Sequence, residues 1–238
     1  MSEHSPELGA EDVLALLAEL SDRLLAGGVH AQLFVVGGAA MALAYDQGRF
    51  TRDVDALFVP APAVREAAEA IGAAHGLEPD WLNDAAKGFL PGQDEHPATV
   101  FESESLLVQV ASPEYLLAMK LHASRDERDL DDAATLFERL GYTTAQQGLD
   151  LLTNTYPADL LLPRHRYIVD DVAERAAYRR AMQSIAPPAA KVTPVRREPA
   201  PRRPTASRDE GRTRLAPPES FGRSSRRPND QQPPSLGL

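Results

Sequence analysis

Cysteine is absent from this chain of 238 residues, and tryptophan occurs once. Without cysteine there is no disulfide and no thiolate metal site, which fits a reducing compartment. No apolar run approaches the roughly 18 residues that a membrane-spanning helix requires. A basic n-region followed by an apolar stretch is also missing; Glu3, Glu7, Glu11 and Asp12 stand there instead, so no signal peptide is expected. Together these absences point to a cytoplasmic protein that does not engage a membrane. The six histidines (His4, His30, His75, His96, His122, His165) show no metal-ligand spacing. No Gly-x-Ser-x-Gly elbow, Walker loop or dinucleotide fingerprint is present, which sets aside the enzyme classes built on them.

Acid prevails overall, at a formal net charge of −10, but the two parts of the chain differ. From Pro187 onward there are 11 Lys/Arg against 5 Asp/Glu, together with 11 of the 20 prolines. Residues 1–186 carry 14 basic and 30 acidic residues, a net of −16. A stretch as polar and proline-rich as 187–238 cannot bury enough apolar area to offset its ordering entropy, so a disordered tail is expected there. Its pairs Arg196–Arg197, Arg202–Arg203 and Arg226–Arg227 could attract nucleic acid by counterion release; a solubilising tail without a fixed partner is the plainer alternative.

Hydrophobic spacing predicts a helix over 11–25, ended by Gly27-Gly28. Leu33-Phe34-Val35-Val36 reads as a short buried strand that runs straight into Gly37-Gly38. A short helix of small residues follows over 39–45, then a strand over 54–59 and a helix over 63–75 with Pro62 near its first turn. Residues 76–97 have no clear period; Trp81 and Leu82 are expected to pack on the core, the rest to be loop. Residues 99–101 and 106–110 read as a hairpin, followed only by helices: 114–124 behind a Ser112-Pro113 cap, 129–140 closed by Gly141, 145–153 and 169–184. The expected fold is therefore α/β (α+β): a small mixed sheet over 1–111, a helical subdomain over 112–186 and the tail 187–238.

The chemistry concentrates in Val36-Gly37-Gly38-Ala39-Ala40 and Arg49-Phe50-Thr51-Arg52-Asp53-Val54-Asp55. A strand that ends in two glycines and opens a helix lets backbone N–H groups approach a phosphate closely. Asp53 and Asp55, two apart at a strand start, point to one face. Two carboxylates beside a phosphate cradle form a hard-oxygen site suited to Mg²⁺, which bridges phosphate oxygens and stabilises charge on a transferred group. Taken singly, the glycine pair reads as a tight turn and Asp-x-Asp as a solvated strand edge.

In combination these residues resemble the glycine-pair and paired-aspartate signature of the nucleotidyltransferase superfamily, and more narrowly its AbiEii/MenT-type toxin-like branch with its bacterial relatives. Arg49, Thr51, Asp53 and Asp55 match that pattern. So does the second block, Ser112-Pro113-Glu114-Tyr115-Leu116-Leu117-Ala118-Met119-Lys120, then Arg125 and Arg128-Asp129-Leu130-Asp131-Asp132. The resemblance covers residues 33–141, and it implies a minimal nucleotidyltransferase core. It assigns Gly37, Gly38, Arg49, Thr51 and Lys120 to nucleotide binding, Asp53 and Asp55 to Mg²⁺, and Lys120 and Asp132 to the rest of the catalytic set. It further implies an NTP substrate, an acceptor hydroxyl at an RNA or tRNA 3′ end, a toxin or phage-defence role, and an antitoxin protein as partner.

The chain departs from the wider superfamily where a third carboxylate sits on the later core strand. That strand here is Leu106-Leu107-Val108-Gln109-Val110, and the nearest acids are Glu102 and Glu104 just before it. A catalytically silent nucleotide- or protein-binding module of the same fold is therefore the alternative. For the second block the plainer reading is a solvated helical face, with Arg128 and Asp132 four apart as a surface ion pair.

Overall fold

The computed structural model describes residues 6–185; the expected disordered tail, 187–238, lies outside them. The elements run α1 (Ala10–Ala26), β1 (Ala31–Val35), α2 (Gly37–Ala40, continued by a π turn Met41–Tyr45), β2 (Val54–Val59), α3 (Ala61–His75), β3 (Leu82–Asn83), a 3-10 turn (Ala85–Phe89), β4 (Ala98–Glu102) and β5 (Leu106–Val110). Helices complete the chain: α4 (Pro113–Ala123), α5 (Glu127–Arg139), α6 (Ala145–Thr155) and α7 (Pro163–Ile185), with a second 3-10 turn at Ala158–Leu160. The α/β architecture expected from the patterning is thus present, helices following a mixed sheet.

The sheet has five strands in the order β3-β2-β1-β5-β4. β1 runs parallel to β5 and antiparallel to β2, β4 pairs with β5 as the expected antiparallel hairpin, and β2 carries the short parallel strand β3. Period-two alternation decides which face is buried. Ala31, Leu33 and Val35 of β1, Val54, Ala56 and Phe58 of β2, and Leu106, Val108 and Val110 of β5 are all buried. α1 and α3 pack on that side: Arg65 of α3 lies 5.4 Å over the Phe58 ring. The opposite face is only partly covered, Phe34 meeting Tyr115 of α4 edge-on at 5.6 Å. Asp55 sits on this open face, between the buried Val54 and Ala56.

One continuous core runs from Leu8 to Ala176. The helix ends follow their local chemistry. Ser112 caps α4 by accepting from the Tyr115 N–H, with Pro113 in the first turn. Asp126 caps α5, and Gly76 ends α3 in the left-handed conformation at φ 66°. Trp81 is 1% exposed, as expected, and donates to the Ala68 carbonyl at 2.9 Å. Beyond the sequence reading lie β3 and both 3-10 turns, too short to show a period, and the first turns of α7, where Arg164-His165-Arg166-Tyr167 hides the helical stripe behind Pro163. Among the described residues no helix is long and apolar enough to cross a membrane.

Candidate active site

At the end of β1 and the start of β2 the sheet, the 3-10 turn Ala85–Phe89 and the α4–α5 corner enclose a cleft of about 930 Å³. Its wall includes Gly37, Gly38, Arg49, Thr51, Asp53, Asp55 and Lys120, so the structure brings seven of the eight singled-out residues to one place. The eighth, Asp132, is 4% exposed and lies behind that wall.

The glycine pair is explained by what it touches. Gly37 has φ +64°, and a Cβ there would lie 2.9 Å from Asp55 Oδ2. A Cβ on Gly38 would lie 2.8 Å from Thr51 Oγ1. Any larger residue would displace the Asp55 carboxylate or the Thr51 hydroxyl. The same glycines open α2, whose first N–H groups have no partner within the helix.

Thr51 and Arg49 hold the loop more than they face the opening. The Thr51 hydroxyl donates to the Asp53 carbonyl at 3.0 Å, and its backbone pairs with Leu8 in an isolated antiparallel bridge. Arg49 donates from Nε to Asp132 Oδ1 at 2.9 Å and from Nη2 to Oδ2 at 3.2 Å, and Nη1 also donates to the Phe50 carbonyl.

Asp53 is exposed and Asp55 partly buried. Burial, then the neighbouring Asp53 charge, pushes the Asp55 carboxyl up to about 6, against the opposing pull of an Asn83 hydrogen bond and the Lys120 charge. Asn83 stands directly opposite Asp55 in the β2–β3 register. A partly buried carboxylate beside a second acidic side chain is short of positive charge, which a divalent cation would relieve. Among the described residues no group of three or more His, Cys, Asp or Glu side chains gathers for a metal. A pair suffices for Mg²⁺ where substrate phosphates and water supply the remaining oxygens.

Lys120, 8% exposed on α4, donates to Asp129 Oδ1 at 2.7 Å and to Asp132 Oδ2 at 2.9 Å. Burial alone would raise the Asp129 carboxyl, but the Lys120 charge and hydrogen bond, with the Arg125 N–H and charge, hold it below the usual carboxylate range. A lysine has three donors, so one remains for the cleft. The solvated-face reading fails for Lys120 and Asp132, which are buried and paired with each other, Asp132 also with Arg49. It holds for the exposed Arg125 and Arg128; Arg128 lies 3.9 Å from Glu7 and does not pair with Asp132.

Glu102 and Glu104 do not replace the missing third carboxylate. Glu102 pairs in register with Leu107 near the start of β5, and Glu104 lines a separate cleft with His30 and Ala31. Both lie at the opposite end of the strands from Asp55.

Asn83, Asp129, Phe89 and Arg125 escaped selection from the sequence. Arg125 and Asp129 stood inside the second block, but Asn83 and Phe89 belong to the segment without period, where only the fold brings them to the cleft. The cleft also gathers five basic and five acidic side chains, although residues 1–186 are strongly acidic overall. The class so defined is an α/β protein with a charged cleft at the strand ends of a mixed sheet. Family models, curated proteins and solved structures were compared with the chain, and none matches.

Proposed function

We propose that this protein transfers a nucleotidyl group from a nucleoside triphosphate to an acceptor hydroxyl. The observation that carries the reading is the Asp53–Asp55 pair, with Asp55 packed against Gly37, in a cleft that also holds Gly38, Lys120 and Arg49. Asp53 and Asp55 would hold Mg²⁺, which when bound offsets charge on the triphosphate oxygens. Gly37 and Gly38 leave room for phosphate against the start of α2. The spare N–H donors of Lys120 and Arg49 bind the β- and γ-phosphates, which carry off the negative charge. The acceptor oxygen forms a bond to the α-phosphorus, the bond to the β-phosphate oxygen breaks, and pyrophosphate leaves with that electron pair. The hydroxyl proton passes to a carboxylate of the Asp53–Asp55 pair.

On this reading Asp132 is a positioning residue. Both its oxygens are taken by Arg49 and Lys120. An RNA or tRNA 3′ end as the acceptor, a toxin role and an antitoxin partner rest on the family resemblance. The even balance of five basic and five acidic side chains at the cleft is the local feature that would admit RNA to an otherwise acidic body.

A second reading, a nucleotide-binding module without turnover, is favoured by one observation: the apolar β5 strand and the distant Glu102 and Glu104 leave the carboxylate pair without a third acid. Incubation of the full chain with each α-³²P-labelled NTP, Mg²⁺ and total bacterial RNA or protein separates the two. Label on a macromolecule, lost in the Asp53→Ala/Asp55→Ala variant, is the expected result. NTP binding without transfer selects the silent module, and absence of both refutes the nucleotide site.

A further inference from the structure

The wall of the cleft that carries no phosphate chemistry has a pattern of its own. Phe89, at the end of the 3-10 turn, is 46% exposed although the ring is large and apolar. The Arg125 guanidinium stands over that ring at 5.6 Å from its centroid, and both residues line the cleft. Ala85, Ala86 and Met119 line it as well.

Both arms of this pair are fixed from behind. The Phe89 carbonyl accepts from the Tyr156 hydroxyl at 3.1 Å, which pins the turn to the end of α6. The Arg125 N–H donates to Asp129 Oδ2 at 3.1 Å, and Asp129 Oδ1 takes Lys120 Nζ at 2.7 Å. The arginine backbone is thus held by the carboxylate that also holds the phosphate-side lysine. The aromatic arm is tied to the metal side in turn, because Asn83, the partner of Asp55, lies two residues before the turn that ends at Phe89. A five-residue 3-10 segment spans roughly 10 Å. That is of the order of the reach from the phosphates of a nucleotide to its base.

We propose that the Phe89 ring and the Arg125 guanidinium form a stacking slot for the base of the donor nucleotide, a role that rests on the nucleotide reading of the cleft. Aromatic and guanidinium planes both stack on nucleobases, and every base offers a π face. Insertion requires the pair to part from 5.6 Å to about 7 Å, twice the ordinary contact distance between stacked atoms. Arg125 is exposed and its long side chain can swing that far. Until a base arrives, the cation–π contact covers the ring. Stacking reads a π face and not a base edge, so the slot accepts purines and pyrimidines alike.

Equilibrium dialysis of the full chain with Mg²⁺ and ATP, CTP or tripolyphosphate tests the slot. Phe89→Ala is expected to weaken ATP and CTP binding by about 5- to 150-fold, the usual loss on removing one stacking aromatic. Tripolyphosphate, which has phosphates and no base, is expected to bind the variant as it binds the wild type. Phe89→Trp keeps nucleotide affinity, and Arg125→Ala lowers it for ATP and CTP only. Equal ATP affinity for Phe89→Ala and wild type overturns the slot and leaves the nucleotide reading standing. Equal losses of ATP and tripolyphosphate also overturn it, since the ring would then only shape the cleft. A wild-type chain that binds neither ATP nor tripolyphosphate refutes both readings.

Discussion

Arg49 grips both oxygens of Asp132 across 83 residues of sequence, and Lys120 reaches one of the same oxygens from α4. All three side chains are largely buried. A carboxylate that balances two buried cations cannot be removed cheaply, because Arg49 loses its carboxylate partner and Lys120 keeps only Asp129. Asp132→Ala is expected to lower stability by about 3–5 kcal/mol. Urea unfolding followed by Trp81 fluorescence measures it, since that single tryptophan is 1% exposed and reports entry of solvent to the core. A loss below about 1 kcal/mol, the range of surface pairs, would contradict a buried anchor.

Two glycines with nearly the same backbone separate conformational cost from site chemistry. Gly37 and Gly76 have φ +64° and +66°, but only Gly37 has a neighbour within reach of a Cβ, Asp55 Oδ2 at 2.9 Å. Alanine at either position costs about 1–2 kcal/mol for the left-handed conformation. Gly37→Ala must also push the Asp55 carboxylate aside, so on the proposed nucleotide reading Mg²⁺-dependent ATP binding is expected to fall by about 10- to 100-fold. Gly76→Ala should bind as the wild type does. Isothermal titration on both variants decides this; similar affinities would show that Gly37 does not set the position of Asp55.

Period-two and helical spacing located β1, β2, the β4–β5 hairpin and the major helices, because each buries a regular stripe. Gly37-Gly38 and Asp53-x-Asp55 were legible as a site because their chemistry is local. The resemblance singled out Asp132, but its partners were not legible: spacing offered Arg128 four residues away, whereas the fold supplies Arg49 from 83 residues away. Asn83 and Phe89 were not legible at all. They lie on a two-residue strand and a single 3-10 turn, elements too short to bury a repeating stripe.

The approach of α4 to the cleft depends on an acid outside the motif blocks. Asp94 Oδ2 accepts the Ser112 N–H at 2.6 Å, and its Oδ1 accepts the Ser112 hydroxyl at 2.9 Å, at the cap of the helix that carries Lys120. Asp94→Ala is expected to cost about 1–2 kcal/mol, comparable to loss of a helix cap with a charge-assisted hydrogen bond. Thermal unfolding of the variant tests it, and an unchanged midpoint would show that Ser112 caps α4 unaided.

A histidine away from the cleft sets a pH window for stability. His165, 2% exposed at the start of α7, accepts the Leu162 N–H through Nδ1 at 3.1 Å. Its ring lies 4.7 Å from that of His122, which is stacked on Tyr156 at 4.1 Å. Burial, then the charges of His122 and Arg164, hold His165 below its ordinary value of 6.5. The unfolded chain therefore takes up the proton first as pH falls. The stabilisation is present above about 6.5 and is lost as pH drops from there toward the folded value. Urea unfolding at about pH 7.5 and about pH 5.5 should show a smaller difference in His165→Gln than in the wild type. Equal differences in the two proteins would mean that another group drives the acid loss.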